Sequence, residues 1–287
     1  MIPPFDYKIP NTIEEACDLL WQGGGKAKII AGGTDLVIGL RNGGQKPEIL
    51  IDITRIKELR TIEEKNGTLS IGAAVTHSEV ASSSLVKKYG KVLSDAASEI
   101  GSPQIRNLGT IGGNIVNASP AADTLPPLMV LNAMGRVASK DRMEEVSLFS
   151  LIKGPYQTNL KPHELLVQII FPKLSPDVRG SFVRLARRDA MAIARMSMAV
   201  ILQIENHRIK EIRISTGSVT PTPQRMSEAE AFLKGKLPEE ELLQRASSKI
   251  SKTMICQSGI RPSTSYKKPV LEALFIRSMK KALQGSA

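Results

Sequence analysis

Two glycine pairs are the residues of this chain whose type and spacing best suit a binding function. The first lies in residues 29–35 (IIAGGTD) and the second in residues 110–114 (TIGGN); each follows an apolar run and ends in small polar residues. Because glycine has no Cβ, such a pair accepts positive φ angles and lets successive N–H groups converge on one anion. The two pairs together predict a single diphosphate that is held from two sides.

Polar side chains flank both glycine pairs. Thr34, Thr110 and Asn114 could donate hydrogen bonds, and Asp35 or Asp123 could accept them from ribose or ribityl hydroxyls. No Gly-Lys-Ser or Gly-Lys-Thr follows either pair and neither has G-x-G-x-x-G spacing, which disfavours nucleotide hydrolysis and a Rossmann NAD site. The alternatives are ordinary tight turns for the pairs and solvated surface acids for the aspartates.

The composition predicts a globular protein with a basic surface. With 287 residues, 41% of them hydrophobic, the chain can bury the core of one large or two moderate domains. The formal net charge of +11 is spread along the chain, and the 4% of aromatic residues leave few platforms for stacking bases. We therefore expect no nucleic-acid partner, because an anionic cofactor or an acidic subunit explains the charge equally well. A non-enzymatic basic binding module stays open as an alternative.

The residues that commonly bind metals are few. Cys17 and Cys256 are the only cysteines, too few for an iron–sulfur cluster or a zinc site made by this chain alone. Cys17 lies on an apolar helical stripe, which predicts a buried structural thiol. His77, His163 and His207 lie far apart without metal-ligand spacing, which predicts surface or core histidines.

The hydropathy pattern predicts no membrane span, because no apolar stretch approaches the roughly 20 residues that cross a bilayer. The first residues lack the basic head and the long apolar run of a secretion signal. We therefore expect a cytoplasmic location.

Helix and strand signals place the first glycine pair between regular elements. Thr12 and Glu15 form a capping-box pattern that predicts a helix over residues 12–21, stopped by the glycines at 23–25. A strand over residues 28–31 and a short helix or turn over residues 35–40 follow. This strand, glycine turn and helix order aims N–H groups at the turn.

The middle of the chain predicts strands, one helix and an irregular approach to the second glycine pair. We expect a strand over residues 47–53, a hairpin over 59–74 that turns at Asn66-Gly67, and a helix over 84–100. Residues 101–109 and 117–123 are rich in turn formers and are predicted to be irregular.

The end of the chain predicts a second unit. Proline, aspartate and glycine at residues 172–180 indicate a domain boundary. Strands are expected over 196–204 and 208–215, a second capping box at Ser227 and Glu230, and amphipathic helices over 238–254 and 269–283. Runs of strands with separate helices indicate α+β layers.

Three motifs give the chain a family resemblance. Residues 28–35 (KIIAGGTD), 101–114 (GSPQIRNLGTIGGN) and 119–123 (SPAAD) resemble the FAD-binding medium subunits of molybdenum hydroxylases, and the match runs over nearly the whole chain. This family includes xanthine, nicotinate and carbon monoxide dehydrogenases and aldehyde oxidoreductases. The resemblance implies an α+β fold: a two-subdomain FAD-binding domain like that of vanillyl-alcohol oxidase (PCMH type) over residues 1–175. A smaller domain with an antiparallel sheet and helices, like the carbon monoxide dehydrogenase flavoprotein C-terminal domain, is expected over residues 180–285.

The resemblance also implies which residues bind FAD. Carried over by position, they are Lys28, Ile29, Ile30, Ala31, Gly32, Gly33, Thr34, Asp35, Thr110, Ile111, Gly112, Gly113, Asn114, Asp123, Leu166 and Arg184. Arg184 stands where many relatives have lysine, and its positive charge could stabilise an anionic reduced flavin; the alternative is a surface arginine. Ile100 stands where some relatives have an aromatic residue over the flavin, which changes the expected stacking.

The activity implied by the resemblance is electron transfer within an oxidoreductase complex. Electrons would leave a substrate at a molybdopterin centre on one partner, pass [2Fe-2S] clusters on another, and reach FAD on this chain and then NAD or another acceptor. No catalytic acid, base or nucleophile is expected here, since the flavin carries the electrons. The resemblance further implies a dimer of heterotrimers.

The choice among family members is less specific. Residues 119–123 and 187–193 are typical of xanthine dehydrogenase-like members, although residues 101–114 also fit nicotinate dehydrogenase. An FAD subunit of an aldehyde or carbon monoxide dehydrogenase stays open. So does a stand-alone FAD-dependent oxidase or reductase, which would need its own substrate pocket.

Overall fold

The computed structural model of the protein describes residues 2–188 and 191–285, so Asp189 and Ala190 of the segment 187–193 lie outside the described residues. The chain begins with a small parallel sheet in the strand order β1-β3-β2, with α1 packed beside it. Its elements are β1 (Asp6–Lys8), α1 (Ile13–Gln22), β2 (Ala27–Ile30), α2 (Leu36–Arg41) and β3 (Ile49–Asp52). Thr12 caps α1 by accepting a hydrogen bond from the Glu15 N–H, as predicted.

A second, antiparallel sheet follows in the order β4-β5-β10-β6-β7. A 3-10 helix at Lys57–Arg60 precedes it, and six short helices lie between β5 and β6. The elements are β4 (Ile62–Lys65), β5 (Thr68–Gly72), α3 (His77–Ser82), α4 (Ser84–Tyr89), α5 (Lys91–Ser98), α6 (Pro103–Leu108), α7 (Ile111–Asn117), α8 (Leu125–Val130), β6 (Met134–Ala138), β7 (Met143–Ser147), α9 (Leu148–Leu151), β8 (Ile152–Gly154), β9 (Gln157–Thr158) and β10 (Leu165–Pro172). The hairpin β4–β5 turns at Asn66-Gly67 with positive φ at both residues, which confirms the predicted turn.

The last part of the chain is a four-stranded antiparallel sheet, in the order β11-β12-β13-β14, packed against long helices. Its elements are β11 (Val178–Leu185), β12 (Met196–Glu205), β13 (Arg208–Gly217), β14 (Gln224–Arg225), α10 (Ser227–Leu233), α11 (Glu240–Ser258) and α12 (Thr264–Gln284). β11 also packs on α5: a Cβ added to Gly180 would lie 2.6 Å from Val92 Cγ1. Phe182 accordingly shares a buried apolar cluster with residues of the β4–β10 sheet region.

Two predicted segments differ in the structure. The single helix expected over residues 84–100 is two helices, α4 and α5, that break at Gly90, where a side chain would lie 2.9 Å from the Phe171 ring. The irregular segment expected over 101–109 contains α6 instead. The sequence carries a helix-start signal here, a Ser-Pro pair at residues 102 and 103. In the structure Ser102 caps α6 by accepting a hydrogen bond from the Ile105 N–H, and Pro103 occupies the first helical position.

The second capping box is wrong. α10 begins at Ser227, so Met226 and not Ser227 is its N-cap residue, and Met226 makes no side-chain cap hydrogen bond. Glu230 instead accepts a hydrogen bond from the Ile214 N–H and pairs with Arg225, because α10 packs on β13 at this point. Its carboxylate therefore joins a helix to a sheet.

Candidate cofactor site

The first glycine pair forms a loop between β2 and α2. Gly33 adopts a φ of +69°, and a Cβ on Gly32 would lie 1.8 Å from the Leu108 carbonyl oxygen, so both positions require glycine. Within the described residues, the N–H groups of Gly32, Gly33 and Thr34 donate to no backbone carbonyl. These main-chain donors are therefore unpaired within the backbone, and their binding of an anion stays a prediction.

The second glycine pair is not a loop but the first turn of α7. Its N–H groups are already used within the protein, as follows: Ile111 to Val75 O (2.9 Å), Gly112 to Ala73 O (2.9 Å), Gly113 to Thr110 Oγ1 (3.1 Å) and Asn114 to Thr110 O (3.0 Å). Neither glycine has positive φ. The prediction of converging N–H groups is thus wrong for this pair, because Gly112 serves close packing: its Cβ would lie 2.6 Å from Ala73 Cβ.

α6 carries the chain into this helix and closes one side of the first loop. Its last residue, Leu108, supplies the carbonyl that meets Gly32, and Gly109 follows. A Cβ on Gly109 would lie 3.2 Å from His77 Cδ2 and 3.5 Å from Thr34 Oγ1. Gly109 therefore marks the point where the first loop, α3 and the start of α7 meet.

A cavity of about 590 Å³ lies between the two glycine segments. Most of the predicted FAD-binding residues line it: Lys28, Ile29, Ile30, Ala31, Gly32, Gly33, Thr34, Asp35, Thr110, Gly112, Gly113, Asn114 and Leu166. Side chains that sequence reasoning did not assign to the site also line it, among them His77, Gln45, Tyr156 and Glu164. A cavity of this size, with free amides on one wall, fits a dinucleotide.

Three predicted site residues do not line this cavity. Ile111 is fully buried. Asp123 and Arg184 instead form an ion pair, Arg184 Nη1 to Asp123 Oδ2 at 3.6 Å, and Arg184 Nε bonds Glu99 Oε2 at 2.6 Å. The Arg184 side chain is 7% exposed, so the alternative of a surface arginine is wrong.

The carboxyl group of Asp123 is in an unusual environment. Burial raises its pKa to about 6, although the nearby Arg184 charge and a hydrogen bond with Ser197 act in the opposite direction. Asp123 Oδ1 is buried without a hydrogen-bond partner among the described residues. Thr124, the next residue, donates to Asn114 Oδ1 at 2.6 Å, so this cluster adjoins α7 and the cavity.

His77 is one of the cavity-lining residues that sequence reasoning did not assign to the site. It occupies the first turn of α3, where Thr76 and Glu79 form a full capping box, and this Thr-x-x-Glu pattern is the signal that locates it. The side chain is 2% exposed, and burial together with the charge of Arg106 lowers its pKa to about 4. It is therefore neutral at pH 7.

Other candidate groups lie outside the site. Burial raises the pKa of the Cys17 thiol to about 11, so the thiol is structural and unreactive. His163 makes an edge contact with the Trp21 ring. Across residues 2–188 and 191–285, no group of three or more His, Cys, Asp and Glu side chains could hold a metal ion, and no helix is long and apolar enough to cross a membrane.

A strand, a glycine loop with unpaired amides and a helix beside a cavity of about 590 Å³ are typical of a nucleotide-binding protein. Comparison with known families makes this class specific. Residues 3–174 match the FAD binding domain in molybdopterin dehydrogenase, and residues 181–282 match the CO dehydrogenase flavoprotein C-terminal domain. The chain belongs to the family of FAD-binding medium subunits of molybdenum hydroxylases.

Individual relatives cover the chain almost completely. The glyceraldehyde dehydrogenase medium chain of Sulfolobus acidocaldarius is 31% identical over 98% of this chain and 99% of its own length. The xanthine dehydrogenase FAD-binding subunit of Escherichia coli is 30% identical over 93% of this chain and 92% of its own. Carbon monoxide dehydrogenase from Hydrogenophaga pseudoflava, solved without the Mo-pyranopterin moiety, superposes with a TM-score of 0.93 at 31% identity over both full chains. The expected α+β fold, the FAD cofactor and the oxidoreductase class are confirmed.

Proposed function

We propose that this chain is the FAD-carrying electron-transfer subunit of a xanthine dehydrogenase-like complex, with an iron–sulfur subunit and a molybdopterin-binding subunit as partners. The observation that carries the proposal is the cavity of about 590 Å³ between β2 and α7, which is lined by Gly32, Gly33 and Thr34, whose amides donate to no backbone carbonyl among the described residues. The relatives, which are medium or FAD-binding subunits of dehydrogenases, support the assembly. The chemistry that bound FAD supplies is electron transfer, from the partner's clusters to NAD or another acceptor.

The first loop is the proposed diphosphate-binding wall. The amides of Gly32, Gly33 and Thr34 would donate to phosphate oxygens, and Lys28 and Asp35 line the same wall. The approach of Leu108 to Gly32 holds the loop against α6. This rigid backbone lets the donors bind without reorganising.

The opposite wall is proposed to act through side chains. Thr110 and Asn114 line the cavity from α7, while Leu166 supplies an apolar surface from β10. Ile111 would act from behind, by packing. These residues exclude water and orient the cofactor.

Asp123 and Arg184 are proposed to face the flavin end of the cofactor. The structure compensates the charge of Arg184, because Glu99 and Asp123 both pair with it. We therefore propose that the pair tunes the flavin environment jointly, rather than Arg184 alone acting as a cation. Asp123 Oδ1, buried and unpaired among the described residues, would accept a hydrogen bond from the cofactor.

Further proposals concern the assembly. Residues 1–175 would form the FAD-binding domain and residues 180–285 the C-terminal domain, supported by the two family matches. We propose a dimer of heterotrimers in the cytoplasm. We propose purines as the substrates of the complex. The relatives named for glyceraldehyde and for xanthine are 31% and 30% identical to this chain. The substrate would bind to the molybdopterin-binding partner and not to this chain.

The proposal is tested by titrating the purified chain, stripped of flavin, with FAD. We expect stoichiometric binding, read as a shifted flavin absorbance band, and no turnover of xanthine by the isolated chain. Co-expression with both partner subunits should restore xanthine-dependent NAD reduction. A chain that binds no FAD would overturn the proposal, whereas turnover by the isolated chain would favour a stand-alone oxidase.

A further inference from the structure

The wall of the cavity formed by α7 lacks free main-chain donors. The N–H groups of its first turn donate to Val75, Ala73 and Thr110, as described above. A diphosphate held by the first loop would still have oxygens that face this wall. Donors for those oxygens must come from side chains.

His77 is the buried side chain placed to supply such a donor. It lines the cavity, and its Cδ2 lies near Gly109, beside Thr34 of the first loop. The ring is 2% exposed, and its Nδ1 is buried without a hydrogen-bond partner among the described residues. Since buried polar atoms are nearly always satisfied, a ring nitrogen without a partner on a cavity wall points to a ligand.

We propose that the imidazole of His77 donates a hydrogen bond to an oxygen of the FAD diphosphate. This inference rests on the proposed function, because it requires FAD in the cavity. His77 would complete the diphosphate site from the side that α7 leaves without amides.

Main-chain and capping hydrogen bonds fix the position of His77 on the cavity wall. The capping box of Thr76 and Glu79 fixes the first turn of α3, and the His77 N–H donates to the Gly109 carbonyl at 3.0 Å. The neutral ring still carries one N–H and can donate without taking up a proton. Arg106, which bonds the Ile100 carbonyl at 2.8 Å, adds positive charge on the same side.

Three variants of the full chain test the contact. His77→Phe removes both nitrogens and keeps a ring, and we expect it to weaken FAD and ADP binding by about tenfold to a hundredfold, the range for a hydrogen bond to a charged group. His77→Gln restores an N–H donor and should recover most of the affinity. His207→Asn, in the turn between β12 and β13, is the matched control and should bind as the wild type does.

The choice of ligand separates a lost contact from a damaged fold. Riboflavin has no phosphate, so its binding to His77→Phe should be unchanged, whereas ADP keeps the diphosphate and should lose affinity. Fluorescence quenching measures riboflavin and FAD, and calorimetry measures ADP. An equal loss for riboflavin and ADP would overturn a diphosphate contact.

Nuclear magnetic resonance of the wild-type chain tests the contact directly, without a substitution at the site. With nitrogen-15 histidine, saturation with ADP should shift one ring nitrogen of His77 and slow the exchange of its proton. Unchanged nitrogens under ADP, or full FAD affinity in His77→Phe, would overturn the role of His77 and leave the proposed function standing. Failure of the wild-type chain to bind FAD would overturn both.

Discussion

At the scale of single residues, the carboxyl group of Asp123 couples stability to pH. Burial raises its pKa to about 6, against 3.8 in an unfolded chain. The group therefore contributes its full stability below about pH 4, and this contribution is lost as the pH rises through about 6. The rise corresponds to about 3 kcal/mol. Asp123→Asn stays neutral and should lack this pH dependence.

Urea unfolding of the flavin-free chain measures this effect over the range from about pH 4 to about pH 7.5. This range covers the rise of pH through the folded-state pKa of about 6, where the contribution is lost. The free energy of unfolding of the wild type, minus that of Asp123→Asn, should fall as pH rises through this range. Asp141→Asn, an exposed change in the turn after β6, is the control and should follow the wild type. A constant difference between wild type and Asp123→Asn would contradict the account.

Gly32 makes a sharper steric test of the first loop. In Gly32→Ala the new Cβ would lie 1.8 Å from the Leu108 carbonyl oxygen, so the loop or α6 must move. Since the free amides of this loop are the proposed diphosphate donors, we expect FAD affinity to fall at least about tenfold. Fluorescence quenching by the apoprotein measures it.

The matched control for this change is Gly44→Ala, where a Cβ meets only the Gly39 carbonyl oxygen at 3.8 Å and φ is not positive. It should bind FAD as the wild type does. If Gly32→Ala also kept full affinity, the first loop would not hold the diphosphate.

At the scale of elements, Thr110 is the cap on which α7 depends. Its hydroxyl oxygen accepts a hydrogen bond from the Gly113 N–H at 3.1 Å, and the residue is 4% exposed. Thr110→Ala leaves this N–H without its acceptor and should lower the free energy of unfolding by about 1 kcal/mol. Thr110→Ser keeps the acceptor and should lose less, measured by urea unfolding without FAD. Equal losses in the two variants would show that the lost methyl group, not the cap, matters.

How far the sequence predicts the elements depends on where the signal lies. Local signals, such as the Thr12 cap and the Asn66-Gly67 turn, act within a few residues and were read correctly. The helical state of the second glycine pair depends on Ala73, which lies far along the chain and accepts the Gly112 N–H. Propensity alone favours a glycine turn there, and a tertiary contact overrides it.

The same distinction holds for the site. The family motifs located the two walls of the cavity, because their residues are consecutive in sequence. The pairing of Arg184 with Glu99 and Asp123 joins residues that are far apart along the chain. His77 was missed because its role appears only when α3 is packed against Gly109.

At the scale of the whole molecule, the two family-matched regions are joined by polar and apolar contacts. The hydrogen bonds that cross between them include Ser218 N to Pro120 O (2.9 Å), Arg213 Nη1 to Val130 O (3.2 Å) and Arg225 Nη1 to Asn132 Oδ1 (2.8 Å). The Arg184 cluster also draws residues from both regions. The proposed flavin end of the site therefore requires both regions in place.

This shared packing predicts joint unfolding. Phe182, on β11, is 1% exposed and belongs to the same apolar cluster as Leu93 and Phe171. Phe182→Ala leaves a cavity in that cluster and should lower the free energy of unfolding by about 3–5 kcal/mol. Because the cluster spans both regions, the loss should appear in both, although the change lies in the C-terminal one.

Two probes separate joint from independent unfolding of these regions. Trp21, the single tryptophan, lies at the end of α1 and reports by fluorescence on the N-terminal region, while far-ultraviolet circular dichroism reports on the whole chain. In Phe182→Ala both midpoints should move to lower urea by the same amount. Phe149→Ala, at a side chain that is 58% exposed, should move neither. A Trp21 midpoint that stayed at the wild-type value would mean that the two regions unfold independently. The Arg184 ion pairs could then break while the first glycine loop stays folded.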